Sequence, residues 1–279
     1  MKIAFATCVQ LGYSCIQEIY KIGGKLDLLI TLKDEKNRDK SGRIYLDDFS
    51  NTHQIPLLKI DHINDPEVLQ VLKEKEIDWF FIIGWSQIAR EELLKTPVKG
   101  CIGMHPTLLP EGRGRASIPW AILKGLDKTG VSMFRMDTGV DTGDLLGQEI
   151  IPLKKDETAT ELYKKVNEAH VRLISKCWKA IEDNTLTGRP QDNALATEWP
   201  GRKPEDGEIT KDMTLSEAKC MVRAVTHPYP GAFYQDGDQT IIIWKAETAL
   251  TEPNKYSIKF KDGYLIPIEY EIKEKDYVK

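Results

Sequence analysis

The sequence predicts an α/β protein in two parts, a larger domain on a parallel sheet and a smaller, mainly β, barrel-like C-terminal domain. Three observations carry this. Short apolar runs alternate with amphipathic helical stretches up to residue 183, the order that builds parallel strand–helix–strand units. The texture then changes at 187–202, TGRPQDNALATEWPGR, to the Pro, Gly and polar composition of a connecting segment. Beyond a helix at 215–225, strand-like runs at 240–244, 256–260 and 264–272 are punctuated by the turns Asp236-Gly237-Asp238 and Lys261-Asp262-Gly263. The expected division is 1–186 for the first domain, 187–206 for the linker and 207–279 for the second domain.

Residues 2–7 form a short apolar run ending in a turn, as a central strand does. Cys15, Ile16, Ile19, Tyr20 and Ile22 share one helical face, and Gly23-Gly24 ends that helix. Residues 26–31 make the next strand. The first turn, ATCVQLGYS, is not the GxGxxG of dinucleotide-binding folds, so no nicotinamide or flavin dinucleotide is expected. Residues 33–43, KDEKNRDKSGR, read as a solvated loop and 57–60 as a third strand. Asp65 caps a helix that starts on Pro66 and buries Val68, Leu69 and Leu72. Residues 78–83, DWFFII, are apolar on both faces, which suits an interior parallel strand. Gly84-Trp85-Ser86-Gln87 leaves it as a loop, in the crevice beyond strand C-termini where open α/β sheets bind ligands. A strand at 100–104, a helix at 118–126 and a strand pair at 130–136 and 145–152 follow. Thr158 and Glu161 form a capping box that opens a helix running to 183. On it His170 lies among Val166, Leu173 and Cys177, the setting of a core histidine.

Composition excludes several classes. The 279 residues are 41% hydrophobic and 29% charged with a net charge of −4, which gives no broad attraction to nucleic acid or an anionic membrane. No apolar run is long enough to span a bilayer, and MKIAFATC reads as a first strand rather than a signal segment. The five cysteines, Cys8, Cys15, Cys101, Cys177 and Cys220, are scattered and without metal spacing, as expected of reduced thiols in a cytoplasmic protein. No HExxH or calcium-loop pattern occurs, so no metal is implied.

Candidate chemistry concentrates in 101–148. His105 follows a strand and opens the Pro-bounded run HPTLLP; further on lies the turn 137–144, DTGVDTGD. If the fold brings His105 to Asp141, the carboxylate orients the imidazole, and the pair can move a proton at a nitrogen or stabilise an oxyanion. There is no GxSxG and no Cys beside the His, so direct group transfer between two bound substrates fits better than covalent catalysis. At this level a structural role for either side chain stays equally open. Arg113 and Arg115, in Gly112-Arg113-Gly114-Arg115-Ala116, could meet an anion while the glycines let backbone N–H groups approach; a solvated turn is the even alternative. Asp137 and Asp144 read as turn caps.

HPTLLPEGRGRASIPWAI followed by TGVSMFRMDTGVDTGDLL resembles the core of the formyltetrahydrofolate-dependent formyltransferases. That family includes methionyl-tRNA formyltransferase, the glycinamide-ribonucleotide enzyme and the nucleotide-sugar N-formyltransferases. RPQDNALATEWPGRKPEDGEI is similar to the family's interdomain linker and RAVTHPYPGAF to a motif of its two-domain members, so the resemblance spans most of the chain. It implies a Rossmann-like N-terminal domain that binds 10-formyltetrahydrofolate, as cosubstrate, at the strand C-termini. A primary amine attacks the formyl carbon, and the tetrahedral oxyanion collapses to a formamide and tetrahydrofolate. By motif match His105 stabilises the oxyanion, while Asp141 orients His105 and accepts the amine's proton. Gly84, Trp85, Gln87, Ile88, Met104, Asp137, Gly139 and Val140 are implied to wrap the pterin, mostly through backbone groups.

One position departs from the family's Asn-x-His, whose asparagine amide helps to bind the formyl oxygen: here it is Gly103. Losing an oxyanion donor costs about 3–4 kcal/mol, so Gln87, a backbone N–H or a water is expected to substitute. A catalytically weak folate-binding homologue is the alternative. For the acceptor, a tRNA would demand a basic surface. Residues 201–279 hold 12 Lys and Arg against 14 Asp and Glu, and 33–43 hold five against three. THPYPGAF and RKPEDG are nearer to the nucleotide-sugar enzymes. The expected acceptor is therefore the amine of a nucleotide-linked amino sugar, contacted by Arg113, Arg115 and Trp199, with methionyl-tRNA as the alternative. No membrane partner is expected, and a homodimer is left open.

Overall fold

The computed structural model describes residues 1–36, 38 and 42–274, so part of the loop expected at 33–43 lies outside the described residues. They form two compact units. The first comprises Met1–Gly114, Gly130–Ile151 and Lys165–Glu198; the second comprises Arg115–Thr129, Pro152–Lys164 and Trp199–Lys279. The domain boundaries expected at 186 and 206 remain a proposal.

In chain order the elements begin with β1 (Ile3–Ala6), α1 (Gln10–Lys21), β2 (Leu28–Leu32), α2 (Asp47–His53), β3 (Leu57–Ile60), α3 (Pro66–Glu74) and β4 (Trp79–Ile83). They continue with α4 (Glu91–Leu94), β5 (Gly100–His105), the two-residue β6 (Arg113–Gly114), α5 (Ser117–Leu123), β7 (Lys128–Arg135), β8 (Leu145–Pro152) and α6 (Ala159–Glu182). The last are the two-residue β9 (Glu198–Trp199), α7 (Leu215–Val225), β10 (Ala232–Asp236), β11 (Gln239–Ala249), β12 (Ile258–Phe260) and β13 (Gly263–Glu274).

The first unit is built on a seven-stranded sheet in the order β3-β2-β1-β4-β5-β7-β8. Pairing is parallel from β3 through β5 and antiparallel between β5 and β7, where His105 lies opposite Ser132. Every residue of β1, β2 and β4 is buried, as parallel strands covered on both faces require. Strand order reverses at β1, which has β2 on one side and β4 on the other, so the crevice for a ligand opens at the C-terminal ends of β1 and β4. Helix α1 lies close over those ends. A Cβ on Gly12 would collide with the Thr7 side chain and come within 3.0 Å of the Ile83 carbonyl oxygen. On α6 the buried stripe Leu162, Val166, His170, Leu173, Cys177 and Ile181 recurs every three or four residues. The predicted capping box forms: Glu161 Oε2 accepts from Thr158 N–H at 2.9 Å, and Thr158 Oγ1 accepts from Glu161 N–H at 3.3 Å.

The second unit carries a four-stranded antiparallel half-barrel, ordered β10-β11-β13-β12, with α7 packed on it. Register shifts between Ile243 and Ala246 mark a bulge that bends the long β11/β13 ladder. The α/β class and the β-rich C-terminal sheet are those the sequence predicts. Several elements differ from expectation, among them α4, β6 and β9, which lie in stretches given no element in advance. β12 starts at Ile258, β10 occupies a stretch read only as part of a motif, and the polar α2 has no apolar stripe to announce it.

Candidate active site

Strand β5 carries His105 to the C-terminal edge of the sheet, next to β4. The imidazole is 7% exposed, with Nε2 2.8 Å from the Gly112 carbonyl oxygen and Nδ1 3.4 Å from Asp141 Oδ2. A carbonyl only accepts, so Nε2 carries the hydrogen and Nδ1 is the nitrogen that faces the carboxylate. At 3.4 Å that contact is longer than a settled hydrogen bond of about 2.7–3.2 Å.

Asp141 adopts a left-handed backbone, φ +54°, on a turn whose preceding residues 137–140 are all exposed. Its Oδ2 also accepts from the Gly114 N–H at 2.9 Å. Asp137 braces the turn as a cap, accepting at Oδ1 from Gly139 N–H (3.0 Å) and Thr142 Oγ1 (2.6 Å). Gly139 and Val140 stand at the exposed tip. Beneath the turn, Gln191 Nε2 donates to the carbonyl oxygens of Asp141 (2.8 Å) and Gly143 (2.7 Å). Its Oε1 accepts from Arg113 Nε (3.2 Å) and Nη2 (2.8 Å), and Arg113 Nη2 also reaches Asn193 Oδ1 at 2.8 Å. Arg113, 7% exposed, is thus turned inward onto neutral amides rather than outward to an anionic ligand.

The loop after β4 starts on Gly84 at φ +68°, where a Cβ would also collide with Val9. Gln87 Oε1 accepts from Ile63 N–H (2.8 Å) and Trp85 Nε1 (3.1 Å), and its Nε2 donates to the Asp61 carbonyl at 3.0 Å. That amide ties the loop to the turn after β3 with one of its two N–H donors. Ile88 is exposed, and its carbonyl accepts from Asn64 Nδ2 at 2.8 Å. Met104 is buried in β5 between Ile83 and Met133. At Gly103 the place of a side chain is already filled: a Cβ would sit 3.0 Å from Phe134 Cζ and 3.1 Å from Met136 Cγ. Phe134 in turn belongs to a buried cluster with Leu109 and Leu145.

In the second unit Arg115 is exposed, its N–H donating to the Trp199 carbonyl at 3.1 Å, and Trp199 is buried. Lys124 Nζ lies 5.9 Å from the Trp199 ring, and Arg202 stacks 5.1 Å over Trp120. These contacts place cations on aromatic faces.

His170 is fully enclosed, its Nδ1 hydrogen-bonded to the Val166 carbonyl at 2.8 Å. Burial, and to a lesser extent the nearby His105, lowers its pKa to about 4, so it is a neutral core residue. None of the five cysteines is in a disulfide, and burial pushes the Cys101 thiol up to about 12. Among the described residues no group of three or more His, Cys, Asp or Glu is arranged to hold a metal, and no helix is long and apolar enough to cross a membrane.

Residues 17–177 match the formyl transferase family, and residues 202–270 match its C-terminal domain. The chain belongs to the formyl transferase family. It is 33% identical over 216 residues to a methionyl-tRNA formyltransferase of Geobacter metallireducens, covering 77% of this chain and 69% of that one. It is 29% identical over 247 residues to the bifunctional polymyxin resistance protein ArnA of Wigglesworthia glossinidia brevipalpis, covering 88% of this chain and 38% of that protein. The fold is shared with an N-formyltransferase from Helicobacter canadensis, solved with folinic acid and dTDP-3-aminofucose. That match has a TM-score of 0.67 at 18% identity and covers 97% of this chain and 100% of the other. This protein is a formyltransferase.

The fold brings His105 and Asp141 together and sets the Gly84–Ile88 loop at the same sheet edge, while Arg113 faces inward. Gln191 escaped notice in the sequence. A glutamine in a Pro- and Gly-rich connector carries no signal that separates it from solvated polar residues.

Proposed function

We propose that this formyltransferase moves a formyl group from 10-formyltetrahydrofolate to the primary amine of a nucleotide-linked amino sugar, with His105 and Asp141 as the reacting pair. The observation that carries the pairing is the position of Asp141 Oδ2 facing His105 Nδ1 while Nε2–H is anchored on Gly112. The anchor leaves Nδ1 as the working nitrogen. The amine nitrogen bonds to the formyl carbon, and its proton passes to Asp141 or to Nδ1. The oxyanion collapses, the carbon–nitrogen bond to the folate breaks, and the departing nitrogen takes the proton held by the pair, giving formamide and tetrahydrofolate and restoring the pair. Nδ1–H, once formed, donates to the oxyanion together with a backbone N–H or the second amide hydrogen of Gln87, because residue 103 has no side chain.

A sugar amine is supported by charge. Residues 201–279 are slightly acidic. Near the start of the 33–43 loop, Lys33 and Lys36 pair with Asp61, and Lys59 pairs with Asp34 and Asp47. Arg43 donates to the carbonyls of Cys8, Ile44 and Leu32. Lysines paired with carboxylates, and an arginine whose terminal N–H groups are spent on the main chain, offer little to a phosphate backbone. Arg115 and Trp199 are proposed contacts for the acceptor. Methionyl-tRNA is the second reading, favoured by the Geobacter relative. Incubation with 10-formyltetrahydrofolate, a panel of nucleotide-linked amino sugars and, in parallel, methionyl-tRNA decides between them. Formamide on a sugar is the expected product. Product on tRNA alone would sink the sugar reading, and folate binding without any product would point to the inactive homologue.

A further inference from the structure

We propose that Gln191 is a positioning residue for formyl transfer, holding the Asp141 turn at its working distance from His105. The inference rests on the proposed pairing of those two residues. An aspartate at φ +54° on an exposed turn stays there only if its surroundings hold it. The carboxylate itself contributes one backbone bond, to Gly114. The turn's backbone is held by Gln191, whose Nε2 uses both hydrogens on the carbonyls of Asp141 and Gly143, at 2.8 and 2.7 Å. Its Oε1 is fixed by the inward-facing Arg113, itself tied to Asn193. The amide therefore has one orientation. Flipped, it would set an oxygen against two carbonyls and an N–H against a guanidinium. The same connector holds the other partner too: Thr197 Oγ1 accepts from the Gly112 N–H at 2.8 Å, and the Gly112 carbonyl holds His105 Nε2. A solvated tether would need none of these bonds.

Gln191→Glu tests this, because the carboxylate still accepts from Arg113 yet has no hydrogen to donate to the two carbonyls. Gln191→Met, of similar volume and with neither function, is the companion variant. Turnover is measured with 10-formyltetrahydrofolate and the acceptor panel above. The ring ¹⁵N resonances of His105, assigned by their loss in His105→Ala, give a readout that needs no acceptor. Gln191→Glu is expected to lower kcat at least tenfold, leave KM for the folate within threefold, keep Tm within a few degrees of wild type, and shift the Nδ1 resonance. Gln191→Met should match it in kcat and Nδ1 shift while melting lower. Wild-type kcat, or an unmoved Nδ1 resonance, in both variants would overturn the proposal. If His105→Ala and Asp141→Asn themselves turn over normally, it is the pairing that fails; if they lose activity while both Gln191 variants keep it, only the positioning role fails.

Discussion

His105 and Asp141 reach each other by opposite means. His105 ends a strand whose two neighbours in the sheet, β4 and β7, are buried almost throughout, so its position is set by the hydrophobic core. Asp141 stands on a turn with exposed neighbours and a left-handed backbone, held by hydrogen bonds from Gly114 and Gln191 and by the Asp137 cap. A core position yields only to changes of volume or buried charge, whereas a bonded turn yields to the loss of single polar atoms. The half of the site to probe with polar substitutions is therefore the aspartate's, and the half to probe with packing and pH is the histidine's.

The comparison breaks most visibly at the two proposed reacting groups. His105→Ala and Asp141→Asn should each lower kcat by about 10²–10⁴-fold, the usual share of acid–base catalysis, with folate affinity measured by titration staying within about tenfold. Next comes the core beside His105. Folded His170 has a pKa of about 4 against 6.5 for the free side chain, so between these values the unfolded chain binds a proton that the folded one does not. Stability should fall by about 3 kcal/mol as pH drops from 6.5 to 4 and level off below, and His170→Leu should flatten that limb in urea titrations. Third is Gly103→Asn. Forcing a side chain against Phe134 and Met136 should destabilise by about 1–3 kcal/mol and bring no gain in turnover. A large gain in formyl transfer would mean that the site lacks an oxyanion donor. Smallest is Thr142→Val on the turn, which removes the hydroxyl bonded to Asp137. It should cost about 0.5–1.5 kcal/mol in stability and lower kcat a few-fold.

The two halves also differed in how far they could be read in advance. Strands such as 78–83 announce themselves because a parallel strand covered on both faces must be apolar throughout, and β4 is buried at every residue. The same pattern carries no direction, which is why the antiparallel pairing of β7 with β5 had to be seen. His105 was legible as the end of such a run. Asp141 was legible as a candidate only, since nothing local records that a residue 36 positions on folds back to face Nδ1; the family resemblance supplied that expectation. Arg113 could be recognised as a cation in a glycine turn, but its partners Gln191 and Asn193 lie some 80 residues away, and without them it reads equally as an anion contact or a solvated turn.

The most direct test of the account is single-turnover formyl transfer from 10-formyltetrahydrofolate to the acceptor amine, compared between wild type and Asp141→Asn. Asparagine keeps the size of the side chain and an oxygen to accept from Gly114, but cannot take the amine's proton. The account predicts formamide product from the wild type and a rate in Asp141→Asn lower by about 10²–10⁴-fold with folate still bound; a wild-type rate in that variant would contradict it.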